Sequence, residues 1–323
     1  MARDLLRRLV KMARSSPRTD LENVVRWLVS KRLTRTCLNL AYNRLSATRK
    51  ETIYSLFAKI FRGHLQSVAA GDWRVNVGGR RVDLPLDGYD TWLEWDLAVS
   101  MLGHEMEIKH TYLNLIRRRR PKLFFDIGAN YGLHSTMFLI HGVPTVSFEP
   151  NARCHDYFRK LARRNRVVCD IQQLALGAVE GWVDVSFPDQ ETWLGSTNPG
   201  ISEQLIEAHG PVTRVRAPQT TLDGFTQDDG RRPDLIKIDT EGSELAVLQG
   251  ALNTLATARP WVIFESWRDA GRERVLKLFE DLDYTVCALP LQLPRPPVVL
   301  NRPRVLELPA TNLIALPSED LPL

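Results

Sequence analysis

The sequence predicts an α/β protein: a doubly wound, mostly parallel sheet preceded by an N-terminal helical extension. Three observations carry this. From residue 119 onward, short apolar runs alternate with helical stretches, the order that builds βαβ units. Four of the apolar runs end on an acid, at Asp126, Glu149, Asp239 and Glu265, and sheets of this class bind ligands at the carboxyl ends of their strands. The first seventy residues differ in kind. They carry fifteen Lys or Arg against four acids, a net of +11, which leaves −6 for the rest of a chain whose total is +5.

The chain accordingly divides into a basic helical extension (1–70), a hairpin with helices leading into the core (71–118), and the main domain (119–323). In the extension, Leu5, Leu6, Leu9, Val10 and Ala13 share one helical face. Thr19-x-x-Glu22 and Thr48-x-x-Glu51 read as capping boxes before two further apolar-periodic runs, so three amphipathic helices are expected. Their basic face reads as a solvated surface on a packed extension in preference to a nucleic-acid or membrane attachment. Nucleic acid is not expected as a partner, and peripheral membrane contact through residues 1–70 is left open.

Gly78-Gly79 between Arg74–Val77 and Arg81–Leu84 signals a β-hairpin. Trp92–Leu102 and Glu105–Arg118 read as helices, the second ending in the run Arg117–Arg120, where positive charge suits a helix C-terminus. Strands follow at Leu123–Phe125, Thr145–Phe148 and Ile171–Leu174, with helices between them, one through His141 and one over Asn151–Arg164. Gly181–Phe187 alternates as a half-buried strand should, and Val212–Arg216 returns to strand after a polar Pro188–Pro211 segment long enough to be a lid. Thr221-Leu222-Asp223 leads into a turn. Strands at Pro233–Ile238, Pro260–Phe264, Tyr284–Leu289 and Asn312–Leu316, with helices to Ala258 and to Leu282 and a proline-rich link before the last strand, complete the order.

Composition excludes several classes. At 44% hydrophobic and 25% charged, the chain has the apolar content of a globular core. Cys37, Cys154, Cys169 and Cys287 are scattered without a Cys-x-x-Cys pair, which argues against a zinc site or a disulfide frame. Cys154 and His155 are adjacent and poorly placed to face one metal. No apolar run spans a bilayer, and charges interrupt the N-terminus too often for a signal peptide, so a cytoplasmic protein is expected.

The chemistry centres on Phe-Phe-Asp-Ile-Gly-Ala-Asn-Tyr-Gly, residues 124–132. Gly128 and Gly132 let the chain turn and let a ligand approach, and helix-start amides attract a carboxylate or phosphate. Glu149, about twenty residues past the first glycine, is placed to take ribose hydroxyls. A nicotinamide site wants Gly-x-Gly-x-x-Gly, whereas this loop offers Gly128-x-x-x-Gly132 with Asp126 ahead of it. An acid there suits a cationic ligand better than a pyrophosphate, and S-adenosylmethionine carries an ammonium and a sulfonium beside its adenosine.

Phe-Asp-Ile-Gly-Ala-Asn-Tyr-Gly at 125–132, Phe-Glu-Pro at 148–150, Thr-Leu-Asp at 221–223 and Ile-Lys-Ile-Asp-Thr-Glu-Gly-Ser-Glu at 236–244 together resemble the FkbM family of S-adenosylmethionine-dependent methyltransferases. Ala175-Leu-Gly177 and Gly195-Ser-Thr197 resemble further landmarks of that family, and the likeness covers roughly residues 105–316. It implies a seven-stranded methyltransferase sheet and methyl transfer, usually to a hydroxyl of a sugar, glycan or natural product. It implies that Asp126, Gly128, Ala129, Asn130 and Gly132 line the methionine end of the cofactor, that Glu149 holds the ribose, and that Leu174 and Ala175 border the adenine. Asp239 and Glu241 then face the reacting centre. His134 stands where an aromatic residue is expected.

An alcohol is a poor nucleophile at neutral pH, so a positioned base assists methyl transfer. Asp239, Glu241 and Glu265 are the catalytic candidates, with Glu244 read as a favourable charge at a helix start. If the strands that end at Asp239 and Glu265 are neighbours, these carboxylates converge. A shared proton, a hard divalent cation or a diverted Glu265 would relieve the repulsion. A metal-free base is preferred, Asp239 first and Glu241 second, because no histidine has a defined place nearby. A nicotinamide oxidoreductase and a non-catalytic binding module using the basic helices are the rival functions.

Overall fold

The computed structural model describes residues 24, 27, 28, 31–42, 44–61, 71–86, 91–188, 194–197, 200, 203, 206, 207, 212–268 and 270–321. The chain divides into two compact units. One runs to Met106 and takes in Arg163–Arg166; the other is Glu107–Ala162 with Val167–Leu323.

The first unit contains α1 (Arg32–Tyr42), α2 (Ala47–Phe61), β1 (Trp73–Val77), β2 (Arg80–Leu84) and α3 (Thr91–Gly103). The strands form the expected antiparallel hairpin, closing Val77 against Arg80 across Gly78 and Gly79, both at positive φ. Helix α1 was not legible in the sequence. Its buried positions are Arg35, Asn39 and Tyr42, whereas Leu33 and Leu40 are 82% and 61% exposed, so the apolar period points the wrong way. Asn39 is held by the hairpin instead, accepting from Trp73 Nε1 at 2.8 Å and donating to the Arg74 carbonyl. Helix α2 starts one residue before Thr48, with Lys50 N donating to the Ser46 carbonyl at 3.0 Å, so Thr48 lies inside the first turn and is not its cap. The helix read over residues 3–14 lies outside the described residues, as does most of the one opened at Thr19.

The second unit follows the order α4 (Met106–Arg118), β3 (Phe124–Ile127), α5 (Leu133–Leu139), β4 (Thr145–Phe148), α6 (Ala152–Asn165), β5 (Asp170–Gln172), β6 (Ala175–Leu176), β7 (Gly181–Pro188) and β8 (Val212–Thr220). It continues with α7 (Leu222–Asp229), β9 (Leu235–Ile238), α8 (Glu244–Gln249), α9 (Leu252–Ala258), β10 (Trp261–Ser266), α10 (Ala270–Asp281), β11 (Tyr284–Ala288), α11 (Arg302–Glu307) and β12 (Thr311–Pro317).

Seven strands form one sheet in the order β11-β12-β10-β9-β3-β4-β5. β10, β9, β3, β4 and β5 are mutually parallel, and β12 runs antiparallel to both of its neighbours. Every residue of β3, β4 and β9 is buried, as central strands covered on both faces must be. The chain proceeds outward from β3 to β5, then returns to lay β9 on the other side of β3. The winding direction therefore reverses between β3 and β9, and their carboxyl ends open the crevice where such sheets bind ligands. The predicted doubly wound, mostly parallel seven-stranded sheet is the one observed.

A small second sheet, β6-β8-β7, packs Val185, Phe187 and Ala217 together. Three expectations are corrected. Residues after Thr221 form a helix, not a turn: Thr221 caps α7 by accepting from Gly224 N at 2.9 Å, and only Leu222 of that helix is buried, which leaves no apolar period to read. The helix expected to run to Ala258 is broken into α8 and α9 at Gly250, where a Cβ would lie 2.0 Å from the Gly177 carbonyl. The proline-rich link contains α11, capped by Asn301. The arginine run after α4 is structural: Arg119 stacks over Trp261 and pairs with Asp320, and Arg120 donates to the carbonyls of His141 and Gly142.

Candidate active site

Strand β3 delivers Asp126 into the interior, fully buried. Its Oδ2 accepts from Ser135 Oγ at 2.5 Å, and Ser135 in turn lies 2.8 Å from Ser147 Oγ on β4, while Asp126 Oδ1 is buried without a hydrogen-bond partner. A buried carboxylate oxygen left without a donor awaits a cationic or hydrogen-bonding group. It is the observation by which the residues present fit an ammonium-bearing ligand.

The loop after β3 folds back onto its neighbours. Gly128 N and Ala129 N both donate to the Phe148 carbonyl at 3.0 Å, Asn130 N donates to Glu149 Oε2 at 2.8 Å, and Gly132 N donates to the Ala129 carbonyl at 2.8 Å. These loop amides, which precede the start of α5, are engaged within the protein. The glycines answer to the protein as well. Gly128 and Gly132 sit at φ +78° and +75°, and a Cβ on them would lie 1.7 Å from the Asp239 carbonyl and 2.3 Å from the Phe158 ring. At both positions the place of a Cβ is taken by the chain itself.

Glu149, at the end of β4, is buried and accepts from Asn130 N and Asn151 N, each at 2.8 Å. Burial pushes its carboxyl up to about 7; the two amide donors pull the other way, and Asp126 and Asp239 nearby add to the rise. The first turn of α6 braces this corner. Cys154 Sγ donates to Asn130 Oδ1 at 3.3 Å, and His155 Nε2 meets the Glu149 carbonyl at 2.7 Å. The adjacent Cys154 and His155 thus serve separate partners. Leu174 is half-buried and Ala175 buried in β6, just past the edge strand β5. His134 lies edge-on to Tyr112, with ring centroids 5.7 Å apart.

The second acidic half is built on β9 and β10, which are parallel neighbours with Ile238 paired to Phe264. Asp239 and Glu265 therefore come side by side, and one oxygen from each of Asp239, Glu241 and Glu265 lies within 4.8 Å of the others. Glu265 is inside β10 and not its last residue, since the strand continues to Ser266. Its Oε2 accepts from Trp267 Nε1 at 2.7 Å. Lys237, buried at 1% exposure between two isoleucines, reaches Asp239 Oδ2 at 2.7 Å. Burial is the first cause that pushes the Glu241 carboxyl up to about 9, followed by the charges of Asp239, Glu265 and Glu244, against a lowering from Lys237. Glu244 is structural, its Oε1 accepting from Thr240 N, Thr240 Oγ1 and Gly242 N at 2.9, 3.0 and 3.1 Å.

The two halves are locked together, because Asp239 N donates to the Ile127 carbonyl at 3.0 Å and the Gly128 backbone rests on the Asp239 carbonyl. Three acids with one buried lysine can share a proton or grip a hard cation through oxygen ligands. Ser135, Ser147, Lys237 and Trp267 carry no site role that the sequence alone assigns. For Ser147 and Lys237 the available signal was a polar residue within an apolar run.

This chain is similar to several known methyltransferases. A methyltransferase sdnD from Sordaria araneosa is 24% identical over 189 residues, covering 50% of this chain and 73% of that protein. Among solved structures, methyltransferase FkbM from Methylobacillus flagellatus KT aligns at 14% identity with a TM-score of 0.38, over 71% of this chain and 55% of the other. A Pyrococcus abyssi tRNA (uracil-54, C5)-methyltransferase in complex with S-adenosyl-L-homocysteine aligns at 11% identity and a TM-score of 0.37, over 79% of this chain and 48% of that one. This chain thus spans about half the length of those two structures, and at such scores the fold assignment rests on the strand order itself. The model of the methyltransferase FkbM domain matches residues 126–286, from Asp126 through both acidic halves of the site to β11, and the chain belongs to the FkbM methyltransferases.

Proposed function

We propose that the chain is an S-adenosylmethionine-dependent O-methyltransferase acting on a hydroxyl of a sugar, glycan or small natural product. The observation that carries the reading is the convergence of Asp239, Glu241 and Glu265 on adjacent strand ends, locked by backbone contact to the Asp126 loop. When bound, the cofactor supplies a methyl group made electrophilic by its sulfonium, so the protein has mainly to align the acceptor and remove a proton.

Asp126, with Gly128, Ala129, Asn130 and Gly132 shaping its loop, would hold the methionine end. The remaining lone pairs of Glu149 would take the ribose hydroxyls, and Leu174 and Ala175 would border the adenine. In the reacting half, Asp239, paired with Lys237, accepts the acceptor's proton. Glu241, protonated at neutral pH, donates a hydrogen bond into the cluster, and Glu265 fixes its far side through Trp267. This base needs no metal. The glycine spacing and the family match speak against the nicotinamide reading, and the intact acids speak against a module without catalysis.

Incubating the full chain with methyl-labelled S-adenosylmethionine and fractionated glycan and small-molecule extracts tests this. A mass gain of one methyl group on a hydroxyl, absent with Asp239→Asn, is the expected result. Methylation only on nitrogen, or none with a folded, cofactor-binding protein, counts against it. Among the described residues no helix is long and apolar enough to cross a membrane. The +11 charge of residues 1–70 supports peripheral contact with an anionic bilayer, each Lys or Arg adding about 1 kcal/mol near such a surface. Equal sedimentation with neutral and anionic vesicles at low salt would refute it.

A further inference from the structure

We infer that Ser196 is a positioning residue for the acceptor half of the site, its hydroxyl fixing the turn that aims the Glu241 carboxyl at Asp239 and Glu265. This rests on the reading of that cluster as the place where the acceptor reacts. The turn is one the chain would not adopt unaided. Glu241 lies at φ +51° and Gly242 follows at φ +95°, two consecutive left-handed residues, the first of them carrying a Cβ.

What holds it comes from two sides. On the helix side, Glu244 Oε1 accepts from Thr240 and Gly242. On the other side stands a fragment of the long segment between β7 and β8. Ser196 Oγ donates to the Glu241 carbonyl at 2.6 Å, and Thr197 Oγ1 lies 2.6 Å from Ser243 Oγ. Two consecutive hydroxyls thus grip the peptide at either end of Gly242.

The grip is itself anchored. Ser196 is fully buried and exchanges both backbone hydrogen bonds with Ser186 of β7, at 2.9 and 3.0 Å. Ser243 leads into α8 without capping that helix through its side chain, which leaves its hydroxyl to Thr197. The small sheet is in this way hydrogen-bonded to the one residue whose carboxyl must sit among Asp239, Glu265, Glu244 and the Lys237 ammonium. A loop whose length suggests a lid contributes a clamp on the catalytic turn.

The test uses the full chain labelled with ¹³C at its glutamate side-chain carboxyls, the Glu241 signal being the one missing from Glu241→Gln. In native protein this signal should titrate at about 9. In Ser196→Ala, which keeps the backbone bridge and removes only the hydroxyl, it should titrate clearly lower, towards ordinary glutamates, and Ser196→Thr should restore it. S-adenosylmethionine affinity should stay within about twofold, because the Glu149 corner is untouched, while turnover falls about tenfold or more. A folded Ser196→Ala with an unchanged Glu241 titration overturns the proposal. If Ser196→Ala does not fold, Thr197→Val, which breaks the second grip, takes its place: a lowered Glu241 titration supports the clamp and an unchanged one overturns it. A moved Glu241 signal with unchanged turnover would uphold the clamp and overturn the catalytic reading of Glu241, so the two failures are distinguishable.

Discussion

Lys237 Nζ lies 2.7 Å from Asp239 Oδ2, with the lysine side chain 2% exposed and the aspartate 25%. Residues two apart on a strand face the same side, so the isoleucines flanking Lys237 go to the opposite face while lysine and aspartate meet. The pair brings a cation into direct contact with the acidic cluster, and it sets the charge that the cluster can carry. Lys237→Met preserves length and apolar packing but removes that cation. The Glu241 carboxyl, which Lys237 pulls down, should then titrate above its native value of about 9. A downward move would contradict the charge arrangement.

Asp239→Asn keeps shape and removes the proposed base. Turnover on a methylated acceptor should fall by about 10²–10⁴-fold with cofactor affinity nearly intact, the usual contribution of a general base. The native pH profile adds to this. With Asp239 as base and Glu241 as a protonated donor, turnover declines as pH passes about 9, where Glu241 ionises. A profile that instead rises through that pH assigns the base to Glu241. Loss of activity with chelator and its recovery with Mg²⁺ or Mn²⁺ would replace the shared proton with a cation.

Glu241 also leaves a signature in stability. Its carboxyl is raised in the fold from an ordinary 4.5 to about 9, so between those values the folded chain holds a proton that the unfolded chain has released. Its contribution is fully present below 4.5 and is lost as pH rises towards 9. Glu241→Gln lacks this loss. The Tm difference, variant minus native, should grow steadily from acid to alkaline pH, and a difference that shrinks would have the wrong sign.

Gly128→Ala tests the closeness of the two halves. The added Cβ meets the Asp239 carbonyl at 1.7 Å, at a residue with φ +78°, so the loop or β9 must move. A cost of about 3 kcal/mol or more is expected from clash and backbone strain together. An unchanged denaturation midpoint would show that the loops do not touch.

Much of this was legible in the sequence because central parallel strands must be apolar throughout. Phe124–Ile127, Thr145–Phe148 and Leu235–Ile238 announce themselves, and an acid straight after or within such a run marks the ligand edge. Where burial is polar, the signal vanishes. Helix α1 buries Arg35, Asn39 and Tyr42, and α7 buries little besides Leu222, so neither shows an apolar period facing the core. The same holds at the site. That Asp239 and Glu265 meet could be stated only conditionally until β9 and β10 proved to be neighbours. The resemblance marked Gly195-Ser-Thr197, but nothing local showed that Ser196 reaches Glu241 across 45 residues of chain.

The most direct measurement is calorimetric titration of the full chain with S-adenosylmethionine, native and Glu149→Ala, from about pH 6 to pH 8. Glu149 is the residue that joins the glycine loop to β4, and burial holds its carboxyl near 7. The native protein should bind the cofactor, and bind it more tightly as Glu149 ionises with rising pH. Glu149→Ala should bind about 1.5–3 kcal/mol more weakly at the upper pH, the worth of a charged hydrogen bond, and lose that pH dependence. A native chain that binds NAD but not S-adenosylmethionine, or a folded Glu149→Ala with unaltered affinity, would contradict the account.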